Sequence, residues 1–295
     1  MKSRLYIIIA MLTFGSISIF VRKIGLPSSV ISLLRAIIAS LFLILYSVIT
    51  KNKISMQKIK DNFWLLLLSG SAMGANWIFL FEAYKYTTVS NATLTYYFEP
   101  AIVMLLSPFL LKEKLSIRKF ISIVVAVAGL FMIVNTDSSV VGSYNHPLGL
   151  TYGLIAAILY ATVILTNKFF KNLSGLEATL IQLVVSVIVL VPYVLFVERP
   201  TLDIFKAEFI PYILILGILY TAIPYLLYFT GMQNLKGQTI AMLSYIDPVS
   251  AVIISAVVFK ESLTLLQVAG GMLILGSSYI NDNDLTQFTD GFSVN

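Results

Sequence analysis

Tyr97-Phe98-Glu99-Pro100 is followed 148 residues later by Tyr245-Ile246-Asp247-Pro248, and these are the two acidic-Pro pairs of the chain. Continued without a gap in that register, Ser107 meets Ser255, Lys112-Glu113 meets Lys260-Glu261, Leu115 meets Leu263 and Ser116 meets Thr264, which makes six identities over residues 97–116. Upstream, Phe81 falls on Phe229. Apolar helices match one another by chance through Leu and Val. Shared Pro, Lys and Glu positions do not arise that way, so the chain reads as a duplication.

Each acid lies inside a long apolar run, and the whole composition agrees with that setting. Of the 295 residues 58% are hydrophobic and 12% charged, with mean hydropathy +0.92. A soluble domain carries about 25% charged residues, so this chain has half the charge needed to solvate a globular surface. It reads as an integral membrane protein. Apolar runs punctuated by Lys, Pro, Gly and Asn predict spans at 5–21, 30–49, 63–83, 88–111, 117–135, 148–168, 177–197, 209–231, 237–259 and 264–280. The first run follows Lys2 and Arg4 like a signal peptide, but no small-residue cleavage site follows it, and it is read as a retained span. The expected fold is therefore all-α: ten transmembrane helices, with residues 1–137 and 138–280 as five-helix repeats and 281–295 as a polar, disordered cytoplasmic tail.

Five spans is an odd number, so the second copy enters the membrane from the opposite side and the repeats are inverted. With the N-terminus inside, thirteen Lys and Arg residues fall on cytoplasmic segments (among them Lys51, Lys58, Lys112, Lys168 and Lys236) against six on external ones. That bias predicts a multi-pass plasma-membrane protein with both termini cytoplasmic. Cys is absent and His146 is the lone histidine, which excludes disulfides, thiolate chemistry and histidine-rich metal centres; no cofactor is expected. The net charge of +6 reports topology rather than nucleic-acid binding. Inverted repeats are an architecture of secondary transporters, with the substrate site between the repeats near mid-bilayer. No Walker-type phosphate loop is present to power primary transport.

Glu99 lies eleven residues after Thr88, about 17 Å along its helix, and Asp247 ten after Gly237, about 15 Å. A charged acid at a helix centre costs roughly 2.5–3.5 kcal/mol on insertion scales, so both should face a polar cavity, be protonated or be paired. Pro100 and Pro248 should free the carbonyls of Tyr96 and Ser244 and bend their spans into hinges. The functional reading is binding of a substrate amine or a coupling proton. The plain alternative is an acid bonded into a structural kink. Asn91, Thr95 and Glu99 share a helix face, with Tyr96 beside them, although small polar residues also hold membrane helices together. Asn76 and Trp77 on span three, Tyr160 on span six, and Tyr225 and Tyr228 on span eight are candidate walls for an organic substrate or cation; the alternative for each is ordinary packing. Arg35 lies about 8 Å inside span two, where it is expected to snorkel, with carboxylate recognition as the sharper alternative.

The acidic-Pro pairs in spans four and nine, the Lys-Glu endings followed by Leu-Ser or Leu-Thr, and Arg35-Ala36 in span two resemble the drug/metabolite transporter superfamily, EamA type. The resemblance covers residues 5 to 280, although members usually carry Gly where Lys112 and Lys260 stand. It implies a transporter rather than an enzyme, and efflux more often than uptake. The expectation is an exporter of a small organic metabolite such as an amino acid, working as a monomer in membrane lipid, with protons as the candidate coupling ion. The alternatives are a homodimer, an importer of a cationic, sugar or nucleoside-like metabolite, and a membrane-embedded lipid enzyme. The enzyme would need a cluster of acids, histidine or serine at one membrane face.

Overall fold

The computed structural model describes residues 2–21, 23–52, 54–87, 92, 95–114, 116–133, 145–201, 206–259 and 265–280, apart from the side chains of 18, 133, 252, 255, 259, 267, 275 and 277–280. Among these residues the chain is helical and has no strand. Seven stretches are long and apolar enough to cross a membrane: Lys2–Val21, Ser28–Ile49, Phe63–Tyr86, His146–Asn167, Gly175–Glu198, Ala207–Met232 and Gly237–Val258. The other three expected spans are represented by the shorter apolar helices Glu99–Leu110, Ile117–Ile133 and Leu265–Ile280. Residues 88–91, 134–135 and the 281–295 tail lie outside the described residues.

The molecule is apolar outside and polar within. Trp64, Phe109, Val257 and Leu265 are each more than 70% exposed, whereas Asn76, Thr179, Gln182, Ser186 and Thr221 are fully buried. Water would reverse that distribution, so the outer face is a lipid face. Several of the buried polar groups bond to one another or to backbone carbonyls. Ser186 donates to Gly70 O (3.0 Å), and Asn167 and Gln182 exchange reciprocal amide bonds of 3.0 and 3.2 Å.

Helix α1 (Lys2–Gly15) packs against Ile223–Met232 and Ile246–Phe259, while Phe63–Tyr86 packs against His146–Asn167 and Gly175–Tyr193. Ser28–Ile49 runs beside Gly175–Tyr193 and Ile210–Ala222, and Ile117–Ile133 pairs with Leu265–Ile280 at the periphery. The span-four helix Glu99–Leu110 lies on Gly237–Ser244 and on His146–Asn167.

Glycine sets the closest of these crossings. A Cβ on Gly15 would lie 2.7 Å from Asp247 O and 2.9 Å from Ala251 N, so only Gly lets α1 reach the backbone beside Asp247. Gly153 meets Thr95 in the same way, its Cβ position lying 2.0 Å from Thr95 Oγ1.

The acids do not sit in continuous helices, as their spacing had suggested. In span four a turn at Tyr97-Phe98 ends the segment holding Thr95 and Tyr96, and a new helix starts at Glu99 with Pro100 in its first turn. In span nine the helix Gly237–Ser244 ends at Tyr245 and the next begins at Ile246. Proline lacks an N–H and fixes φ, which suits a helix start and not an interior. Both acids therefore occupy the first turn of a half-helix, where the macrodipole favours an anion. Pro224 acts differently: it deprives the Tyr220 carbonyl of its donor, and the preceding turn widens into the π-helical segment Ile218–Ala222.

Candidate functional site

A cavity of about 280 Å³ lies where these broken spans meet helix Ser28–Ile49 and helix Phe63–Tyr86. Glu99 and Asp247 both line it. Trp77, Tyr96, Tyr160 and Tyr225 supply the aromatic wall, with Tyr96 stacked on Tyr160 at 6.1 Å between centroids and Trp77 edge-on to Tyr225 at 6.3 Å. The π-helical turn before Pro224 adjoins the segment that presents Tyr225. Glu99 is 4% exposed, and its Oε1 has no hydrogen-bond partner among the described residues. The Tyr97 hydroxyl interacts with the Asp247 carboxyl. Two acids face one part-polar cavity, the kind of setting an acid inside a membrane protein needs unless it is protonated or paired.

Three other expected residues are described and are not on the wall. Asn76 donates to Ala156 O (2.6 Å), joining span three to span six. Thr95 donates back to Ala92 O (2.9 Å) and packs on Gly153. Tyr228 is fully buried behind the wall, 3.4 Å from Ser244 Oγ, and it is Ser244 that reaches the cavity. Asn91 lies outside the described residues.

Arg35 is where sequence reasoning fell short. Instead of snorkelling, the guanidinium points inward and lines the cavity, its Cζ 4.5 Å from the Trp77 ring centroid. Depth along a helix axis had suggested snorkelling, but the face decides. Ser28, Ile31, Ser32 and Arg35 have i, i+3, i+4, i+7 spacing and line the cavity together.

The cavity is one-sided. It extends from Ser244 and Tyr160 toward the end of the bundle marked by Val21, Ser28 and Tyr84. The opposite end is packed shut. There Glu113 accepts bonds from the Gly237 and Gln238 amides (2.7 and 3.1 Å), capping a helix of the second half with an acid of the first. Nearby, Lys168 Nζ donates to the Met232 and Leu235 carbonyls.

A bundle of apolar-faced helices around a part-polar central cavity defines a multi-pass membrane protein with a path for a small solute. The sequence pattern of the EamA-like transporter family matches residues 1–135 and again 147–281. The chain belongs to that family: it is a transporter and not an enzyme. It is similar to the Bacillus subtilis (strain 168) protein called "Uncharacterized transporter YxxF", 29% identical over 267 residues, covering 90% of this chain and 85% of the relative. An "Uncharacterized transporter" of Archaeoglobus fulgidus is 26% identical over 278 residues, covering 93% and 94%. A solved crystal structure of a protein superposes with a TM-score of 0.83 over 95% of this chain and 97% of that one; at 16% identity the likeness concerns the fold alone.

Proposed function

We propose that the chain is a ten-span secondary transporter of two inverted five-span repeats, residues 1–137 and 138–280, exporting an amino acid or related small metabolite across the plasma membrane by alternating access. The observation that carries this reading is the cavity holding Glu99 and Asp247, the acids of the two acidic-Pro pairs, with Val21, Ser28 and Tyr84 toward one end of it. Its volume of about 280 Å³ lies at the low end of the roughly 300–1,000 Å³ of small-molecule sites, which suits a metabolite of amino-acid size.

Helix pairing supports the repeat symmetry. Exchanging the two halves turns the contact of span one with span eight into that of span six with span three, and span one with nine into span six with four. The pairs two–seven and five–ten map onto themselves. The twofold match of the family pattern fits the same division. The distribution of Lys and Arg supports cytoplasmic termini, and a cavity formed within one chain supports a monomeric unit. Glu99 and Asp247 hold a substrate ammonium or the coupling proton, with Trp77, Tyr96, Tyr160 and Tyr225 around the solute.

Proteoliposomes loaded with single metabolites test the reading. Glu99→Gln and Asp247→Asn keep shape and hydrogen bonding, so they should preserve the fold while abolishing concentrative transport or its pH dependence. Raised KM with an intact pH response would assign the acids to the substrate ammonium instead. A folded double variant with wild-type transport and pH profile would leave both acids as structural.

A further inference from the structure

Arg35 is a cation in a cavity that otherwise holds acids, and the structure gives it no counterion. Among the described residues no carboxylate forms an ion pair with it, and its Nε is buried without a hydrogen-bond partner. The stack on Trp77 orients the guanidinium but leaves its in-plane donors unused, because a cation–π contact engages the ring face. Arg35 is half-buried, and holding a charge partly out of water without a counterion is unfavourable, while such a stack returns only roughly 0.5–2 kcal/mol. Ser28 and Ser32 stand on the same helix face and line the same void, adding two hydroxyls to the wall that carries the guanidinium. The same cavity is lined by Glu99, whose Oε1 also lacks a partner among the described residues.

We propose that Arg35, with Ser28 and Ser32, forms a carboxylate subsite opposite Glu99 and Asp247, so that the transported solute is a zwitterion of the α-amino-acid type. The guanidinium fork takes a carboxylate side-on, and contact with the Trp77 ring face leaves the N–H edge of Arg35 for such a partner. The solute's ammonium then meets the acids, and its side chain meets the rings of Tyr96 and Tyr160. The first turns of the two half-helices are not rival anion sites, since each already carries its own acid. This assignment rests on the transporter reading and narrows it from small metabolites to those carrying both charges.

Trp77 provides a direct readout. The chain has two tryptophans, and Trp64 is 77% exposed on the outer face, so Trp64→Phe leaves a single reporter under Arg35. The purified Trp64→Phe protein in nanodiscs is titrated with each of the twenty proteinogenic amino acids. Every responder is then compared with its methyl ester and with its decarboxylated amine. Saturable change with at least one amino acid is expected, with ester and amine at least tenfold weaker. Arg35→Gln should weaken the amino acid tenfold or more, down to the level of the amine, and leave the amine's affinity unchanged.

The subsite is overturned if none of the twenty changes Trp77 fluorescence, if ester and amine match the parent, or if Arg35→Gln weakens acid and amine alike. Should Arg35→Gln not fold, Arg35→Lys retains the charge without the fork and must give an intermediate loss. The ester comparison in the unsubstituted site decides independently. Saturable proteoliposome transport of a solute lacking a carboxylate, unaltered by Arg35→Gln, would remove the subsite and leave the transporter standing. Absence of transport for every metabolite tried would remove the transport reading itself.

Discussion

Lys112 leaves the helix Glu99–Leu110 with φ of 57°, the left-handed region that favours glycine. The EamA resemblance implies Gly at this corner, and here a Lys holds the same kind of conformation against the crowding of its Cβ. Lys112→Gly should therefore stabilise the protein by up to about 1 kcal/mol, read as a rise of a few degrees or less in thermal unfolding of the detergent-solubilised chain. A fall in the midpoint would mean that the Lys side chain contributes more than its backbone costs. The same residue-by-residue physics explains what the sequence disclosed of the site. Glu99 and Asp247 stood out because an acid in an apolar run has no cheap resting place, and both are on the cavity wall. Asn76 and Thr95 were candidates as well, yet each donates to a backbone carbonyl of a neighbouring helix or turn, partners that no spacing rule reveals. Arg35 was judged by depth, when the face it shares with Ser28 and Ser32 was the legible signal.

At the scale of elements, the apolar runs mapped well onto helices, because twenty apolar residues in a row have few other fates. Their interruptions were less legible. Pro100 and Pro248 foretold a bend, whereas the chain ends one helix and starts another, which exposes backbone groups and puts each acid at a helix start. Broken spans of this kind can swing about the turn, so Pro100→Ala and Pro248→Ala, which let the helix run through, should reduce turnover more than affinity. Unchanged turnover with a raised KM in proteoliposome assays would speak against a hinge. Helix α1 must also stay in close contact with the second break. Gly15→Val places a branched side chain where even a Cβ lies 2.7 Å from Asp247 O, and the expected result is a protein that loses cavity binding and unfolds at lower temperature. Wild-type binding and stability in that variant would show that span one can retreat without consequence.

On the scale of the molecule, the cavity is open toward Val21 and Ser28 and shut at the end where Glu113 meets Gly237. If the proposed alternating access holds, this closed end must open, and its bonds then weigh directly on the equilibrium between the two states. Glu113 donates nothing to the substrate site; its carboxylate caps two amides of the opposite half. Hydrogen bonds to a charged group contribute about 1.5–3 kcal/mol, so Glu113→Gln should shift the population toward opening by roughly ten- to a hundredfold. The absence of cysteine makes the shift measurable in the native background. A thiol at Ser28, exposed at the open end of the cavity wall, should react readily with a membrane-impermeant methanethiosulfonate reagent. One at Ser107, fully buried beside Gly237, should be protected in the otherwise unaltered chain and become reactive when Glu113→Gln is added. If Ser107→Cys reacts as fast as Ser28→Cys while Glu113 is intact, that end is not sealed in solution. If it stays protected in the Glu113→Gln variant, the closure is held by packing of the helices Glu99–Leu110 and Gly237–Ser244 rather than by the cap.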